Sequence, residues 1–394
     1  MGDPMMCSVV LILSLLVLAN GLDKAKIKQP ATIAFERNEF LDCLVTNISV
    51  GTPPQNLNVE FQLLNGESDL FLYGDQAQLS EYVTNLQYAM HKRFGKQYYT
   101  SSNVVRLSSF VGNGHMGQDD ISSTMINFGA VKFGVVDEIK GRDNGLSGVF
   151  GLVPASSKLN SSANLLTQLT AQYENPIITI VKNKNQGHVM LGGLDEKSCR
   201  SNWAFARHIY GSYADPYELR ASAISAVAAN KTNLSTSKMS ISFSVSKFRW
   251  NLQVGATVHE HFRIASDAVW NRTQFGYVID CDKSKLGNVE LTVGSNGSRI
   301  VLTPEDYLYY NSDYDACHLG VTVNGMPDKV NDIVAGSHFM DNHCLAYNSQ
   351  TGELGFANRA NIPGSAIKDG PPIQIFVKVI VNGTEYKYKA VPVD

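Results

Sequence analysis

The chain has 394 residues, 44% of them apolar and 18% charged, with 33 basic and 36 acidic side chains and a formal net charge of -3. At roughly 100–200 residues per domain this length suits two domains, each able to bury its own core. The balanced charge excludes the electrostatic footprint of a nucleic-acid binder or of a protein held on an anionic membrane, and the apolar content excludes a disordered chain.

The first element is an apolar run from Val9 to Ala19, succeeded by Asn20-Gly21. Its length suits the core of a secretory signal peptide and falls short of a membrane span. Cleavage is expected near Gly21, although no Lys or Arg precedes the run. Residues 1–21 are therefore read as a signal peptide and the mature chain as secreted, with no membrane span. Export accounts for seven Asn-x-Ser/Thr sequons, at Asn47, Asn160, Asn230, Asn233, Asn271, Asn296 and Asn382, which are read as glycosylated surface loops. Cys7 leaves with the signal. Of Cys43, Cys199, Cys281, Cys317 and Cys344, none forms a C-x-x-C pair, so disulfides with one thiol left over are expected.

Period-two alternation then dominates. Leu44–Val50 and Leu57–Phe61 read as strands, Val289–Val293 and Ile300–Leu302 flank a Gly-Ser-Asn-Gly turn, and Ile373–Ile380 returns through Asn382-Gly383 as Tyr386–Tyr388. Helical patterning is confined to Ser162–Leu169 and Pro304–Leu308. No Gly-rich phosphate loop succeeds a strand, no repeat is present and no Gly-x-Ser-x-Gly elbow occurs. His259-Glu-His261 lacks the four-residue spacing of a zinc helix and is read as surface residues on a strand or loop. No metal and no cofactor is expected.

Gly51-Thr-Pro-Pro-Gln55, directly after the Ile48–Val50 strand, resembles the opening of the pepsin-like aspartic peptidases. Further elements in the family's order strengthen the resemblance: Gly148-Val-Phe-Gly-Leu152, His188-Val-Met-Leu-Gly-Gly-Leu-Asp195, Tyr277-Val-Ile-Asp-Cys281, Leu302-Thr-Pro304, Tyr307, Val334-Ala-Gly336 and Leu354-Gly-Phe-Ala357. The similarity covers about residues 40 to 360. It implies a mostly β, bilobal fold of two β-barrel-like lobes around a deep cleft that holds an extended peptide. The expected division is a short segment 22–39, an N-terminal lobe 40–206, a C-terminal lobe 207–361 and a C-terminal extension 362–394 with a β-hairpin. The resemblance also implies a disulfide between Cys281 and Cys317, and a second between Cys199 and Cys344. A basic propeptide of the usual length has no room between Gly21 and the first strand.

The family's chemistry needs two Asp-Thr/Ser-Gly loops whose carboxylates share a proton, one taking a proton from the attacking water while the other protonates the substrate carbonyl. Counting from Gly51–Gln55 puts the first position at Gln62. Counting back from Ser68-Asp-Leu-Phe71 puts it at Leu64. Neither is an acid, and Glu67 and Asp69 lie several residues from either. The second position falls at Phe243 or Ser244, and no Asp or Glu occurs between Glu218 and Glu260. In the flap-like run Phe110-Val-Gly-Asn-Gly-His-Met-Gly117, Val111 or Phe110 replaces the family's Tyr, with Gly112 and Gly114 next.

The resulting expectation is a secreted, monomeric, catalytically inactive pepsin-like glycoprotein whose cleft binds an extended peptide or protein partner. Two alternatives stand beside it: an aspartic-type endopeptidase with unconventional or misassembled active-site loops, and a structural or masking secreted glycoprotein.

Overall fold

The computed structural model describes residues 26–38, 43–62, 70–79, 106–108, 112–123, 126–139, 146–152, 154, 164–183, 186–207, 218–227, 232–243, 252–294, 297–324, 333–336, 339–360, 376–381 and 384–389. Among them strands prevail, in sheets of thirteen, seven, four and two strands. The alternation read from sequence is the cause. In the strand Gln55–Gln62, Leu57, Val59 and Phe61 point into the core while Asn56 and Asn58 are exposed. Burying such side chains stabilises each strand by about 1.5–3 kcal/mol per residue. No helix among the described residues is long and apolar enough to cross a membrane.

The two halves of the chain repeat one pairing scheme. In the first, Gln55–Gln62 runs parallel to Gly148–Gly151 with Phe61 opposite Phe150, Leu70–Leu79 is antiparallel to that strand with Leu70 opposite Phe150, and Leu70–Leu79 also runs parallel to Ile126–Ile139. In the second, Thr232–Phe243 runs parallel to Ile333–Ala335 with Phe243 opposite Ala335. Leu252–Gly255 is antiparallel to that strand with Leu252 opposite Ala335, and it also runs parallel to Val321–Asn324. Each half thus folds one chain segment between two others in the same order and register, the mark of a bilobal, internally repeated β fold.

Strands from late in the chain close the first sheet. His343–Asn348 pairs with Ile177–Asn183, and Glu353–Asn358 joins it to Ala204–Arg207. Residues on both sides of position 206 therefore share one sheet. The bridge Cys199–Cys344 fastens this junction, and Cys281–Cys317 fastens the four-stranded sheet of the second half. Both pairings implied by the family resemblance are present. Closing the 36-residue separation of the second contributes roughly 3–4 kcal/mol through loop-closure entropy. Cys43, outside both bridges, is buried.

Both sequence-predicted helical segments form helices, at Leu165–Thr170 and Pro304–Tyr307. Asn164 caps the first through Oδ1, which accepts the Thr167 N–H at 2.8 Å. A third helix, Ala256–Ala265, lies where a strand or loop was expected, and it corrects the reading of His259 and His261 as surface residues. Val258, Phe262 and Ala265 recur at helical spacing on its buried face, and the two histidines are 8% and 4% exposed. Near the C-terminus Phe376–Val381 pairs antiparallel with Thr384–Lys389 in a sheet of its own.

Candidate active-site cleft

Gln62 ends its strand at the point where the chain leaves the parallel ladder. Its carbonyl accepts the Leu152 N–H at 2.9 Å, and it stands opposite Gly151. The adjoining core is aromatic: Phe61 stacks on Phe35 at 5.2 Å and on Phe150 at 5.7 Å. With Phe61 locked inward, the period-two geometry of the strand turns Gln62 and Glu60 to the other face, where both are half-buried. There the Gln62 side-chain amide donates to Glu60 Oε1 at 3.0 Å. Glu60 is a carboxyl that the sequence reading missed. The signal was available in its i−2 spacing from Gln62, which puts both on one face.

Close backbone approach shapes this corner. Gly148 has φ +156°, and a Cβ there would lie 2.1 Å from the Phe71 carbonyl oxygen. Only glycine lets the strands meet so closely opposite Leu72, three residues before the Gly151 that faces Gln62. The repeated register makes Phe61 and Phe243 equivalent. Phe243 is the last residue of Thr232–Phe243, whereas Leu64, Glu67, Asp69 and Ser244 lie outside the described residues.

Of the flap-like run, Gly112 and Gly114 belong to the strand Gly112–Ser123, while Phe110 and Val111 lie outside the described residues. Gly114 is paired on both sides, with Leu107 and with Val136. A Cβ there would lie 1.8 Å from the Val135 carbonyl oxygen, so this glycine serves ladder packing rather than free hinge motion.

His259 and His261, two apart on a helix, project about 200° from one another and cannot hold one ion between them. His259 packs on Tyr277 at 5.2 Å, and burial holds its pKa below the usual imidazole range. One ring nitrogen of His261 bonds the Thr257 carbonyl at 2.9 Å. No group of three or more His, Cys, Asp or Glu side chains is placed to hold a metal among the described residues.

Two buried polar clusters, away from Gln62, tie the halves together. His343 and Asp306 meet at 2.6 Å, with the second His343 nitrogen 3.0 Å from Asn358 Oδ1. Lys182 reaches Asp341 from the neighbouring strand, and burial lowers the Lys182 pKa even against that carboxylate. Beyond the strand Gln186–Leu191, the Asp195 of the Gly-Gly-x-Asp run accepts from Lys197 N and Ser198 N at 3.1 Å each and faces His188 at 2.7 Å. Burial opposes ionisation of Asp195, but the bonds from Ser198 and His188 outweigh it and hold its pKa below the usual range.

Of the sequons, Asn47 lies mid-strand with Nδ2 donating to Asn58 Oδ1 at 3.1 Å. Asn233 lies in the strand Thr232–Phe243 and Asn271 at a hairpin tip. Asn160, Asn230, Asn296 and Asn382 lie outside the described residues.

No curated protein matches the chain. A family model for eukaryotic aspartyl proteases matches residues 44–359, a span that takes in both parallel ladders, the helix Ala256–Ala265 and both disulfides. With four-fifths of its length so matched and the doubled pairing scheme in place, the chain belongs to the eukaryotic aspartyl protease family.

Proposed function

We propose that this protein is a secreted pepsin-like glycoprotein without peptidase activity, whose cleft binds an extended peptide or protein segment. The observation that carries the reading is Gln62. It ends its strand opposite Gly151, and whether the family's first acid position falls at Gln62 or at Leu64, the side chain there is not an ionisable carboxyl. An amide neither takes a proton from water nor returns one to a carbonyl near neutral or acidic pH. In the second half the sequence offers Phe243 or Ser244 at the corresponding position, and neither a phenyl ring nor a hydroxyl can form a proton-sharing pair with a carboxylate. Losing one acid–base group typically lowers a rate by about 100- to 10,000-fold, and here both are replaced.

Glu60 favours a second reading, an unconventional peptidase, because its carboxylate lies beside Gln62. Dividing the two proton transfers needs a second acid from the other half, where the sequence offers only Phe243 or Ser244, so the inactive reading stands ahead of it. The intact ladders and the buried ties between the halves support a cleft kept for binding.

The test is binding of an extended-peptide library to the full secreted protein and to variants that fill the cleft, Val111→Trp and Phe243→Trp. Retained ligands that both variants lose support the proposal. Binding unchanged in both folded variants contradicts it and favours a masking role.

A further inference from the structure

The four-stranded sheet of the second half ends in an open edge. Its outermost strand, Val269–Asn271, pairs only with Gly276–Ile279 among the described residues. In this hairpin Val269 is 67% exposed, Phe275 53% and Trp270 36%, three of the six large hydrophobic side chains exposed among the described residues. Phe275 also adopts φ +47°, a left-handed conformation that bulky side chains rarely take. An exposed apolar edge is a template for pairing with a second copy, and natural sheets blunt such edges. The edge strand carries no charge of its own, and the adjoining turn adds only Arg272.

The same hairpin holds the means of covering itself. Asn271-Arg272-Thr273 is an acceptor sequon, and it is folded into a local turn. Asn271 Oδ1 accepts from Thr273 N at 3.0 Å, from Thr273 Oγ1 at 2.7 Å and from Gln274 N at 3.3 Å. These bonds span at most three residues, so the turn forms in a nascent chain before the rest of the fold exists. Among the described residues Asn271 Nδ2 makes no hydrogen bond. Asn47 differs on each point: it lies in extended backbone within a ladder, and its Nδ2 is bonded to Asn58.

We propose that Asn271 carries an N-linked oligosaccharide, and that this glycan covers the edge formed by Val269, Trp270 and Phe275 and keeps two copies from pairing through it. The proposal rests on the reading that the chain enters the secretory pathway. The donor is a lipid-linked diphosphate oligosaccharide. Asn271 Nδ2 bonds to the anomeric carbon of the first sugar, and the bond from that carbon to the diphosphate oxygen breaks, its electron pair leaving on the lipid diphosphate. Nδ2 gives up one proton. A hydrated sugar chain beside the edge strand opposes its docking on another strand, because the sugars would lose water without gaining ladder bonds.

The experiment is glycopeptide mapping by mass spectrometry of the full chain made in a eukaryotic secretory host, once with its own N-terminus and once behind a host signal peptide. The expected result is a modified Asn271 peptide in the majority of molecules, lost in Thr273→Ala. Removing the glycan by that variant, or by glycosidase from the folded native protein, raises the self-association constant by about tenfold or more in sedimentation velocity. Adding Trp270→Lys to Thr273→Ala returns the monomer. An unmodified Asn271 peptide in protein directed by the host signal overturns the assignment. A deglycosylated protein that stays monomeric overturns the covering role. Modification seen only behind the host signal leaves Asn271 standing as the acceptor and refutes the native export reading instead.

Discussion

Replacing Asp306 by alanine is expected to loosen the junction between the two halves. Asp306 is 1% exposed and serves three residues at once, Thr303, His343 and, at 3.5 Å, the Asn342 amide. Its Oδ2 accepts Thr303 N at 2.7 Å and Thr303 Oγ1 at 3.2 Å, closing the capping box of the helix Pro304–Tyr307, and its Oδ1 meets His343 at 2.6 Å. Losing the cap removes about 1 kcal/mol. Leaving the His343 ring nitrogen without an acceptor adds roughly 2–3 kcal/mol, because Phe339 and Phe356 cover that ring at 4.2 and 4.7 Å and keep water out. The sum is about 3–4 kcal/mol, within the range for breaking a buried pair from one side. Equilibrium unfolding in denaturant, with both disulfides intact, reads it directly. The double variant Asp306→Leu with His343→Phe removes both polar partners together and is expected to recover about half of the loss or more. A single-variant change below about 1 kcal/mol would refute the reasoning, since a cap alone accounts for that much.

The same geometry sets further outcomes. Cys199→Ala with Cys344→Ala opens a closure of 145 residues and is expected to lower stability by up to about 5 kcal/mol, measured as a fall in the denaturant midpoint. Burial holds the pKa values of His259 and His318 below the usual imidazole range, so the unfolded chain binds protons more readily than the folded one. Their contribution is therefore fully present above about pH 6.5 and declines as pH falls below it, and His259→Leu should flatten the midpoint-against-pH curve in that window. Gly148→Ala is expected to destabilise by about 3 kcal/mol or more, since its Cβ would overlap the Phe71 carbonyl oxygen. A soluble variant of wild-type stability would contradict the close approach.

Much of the fold was legible because burial on one face of a strand writes period two into the sequence. Leu57, Val59 and Phe61 are as buried as their alternation requires, and the Pro304 helix carries its capping residues in plain order. What alternation does not encode is partnership. The parallel ladders that set Gln62 opposite Gly151 and Phe243 opposite Ala335 join residues about ninety apart, and no local pattern specifies them. His259 and His261 were misplaced because their two-residue spacing fits a strand face, while Val258, Phe262 and Ala265 set a helical period that outweighed it. At the candidate site the sequence offers Gln62 or Leu64 at the first acid position and carries in its i−2 spacing the shared face of Glu60 and Gln62, but the bond between those two side chains emerged only with the side-chain geometry. The exposed edge near Asn271 was equally hidden, since its strand order depends on pairing.

The central claim is that the cleft has lost its pair of acids. The most direct measurement is hydrolysis of an unfolded protein substrate in mild acid by the purified, correctly bridged protein, with and without a pepstatin-type inhibitor. The account predicts no cleavage above the uncatalysed background in either condition. Turnover that the inhibitor abolishes would contradict it.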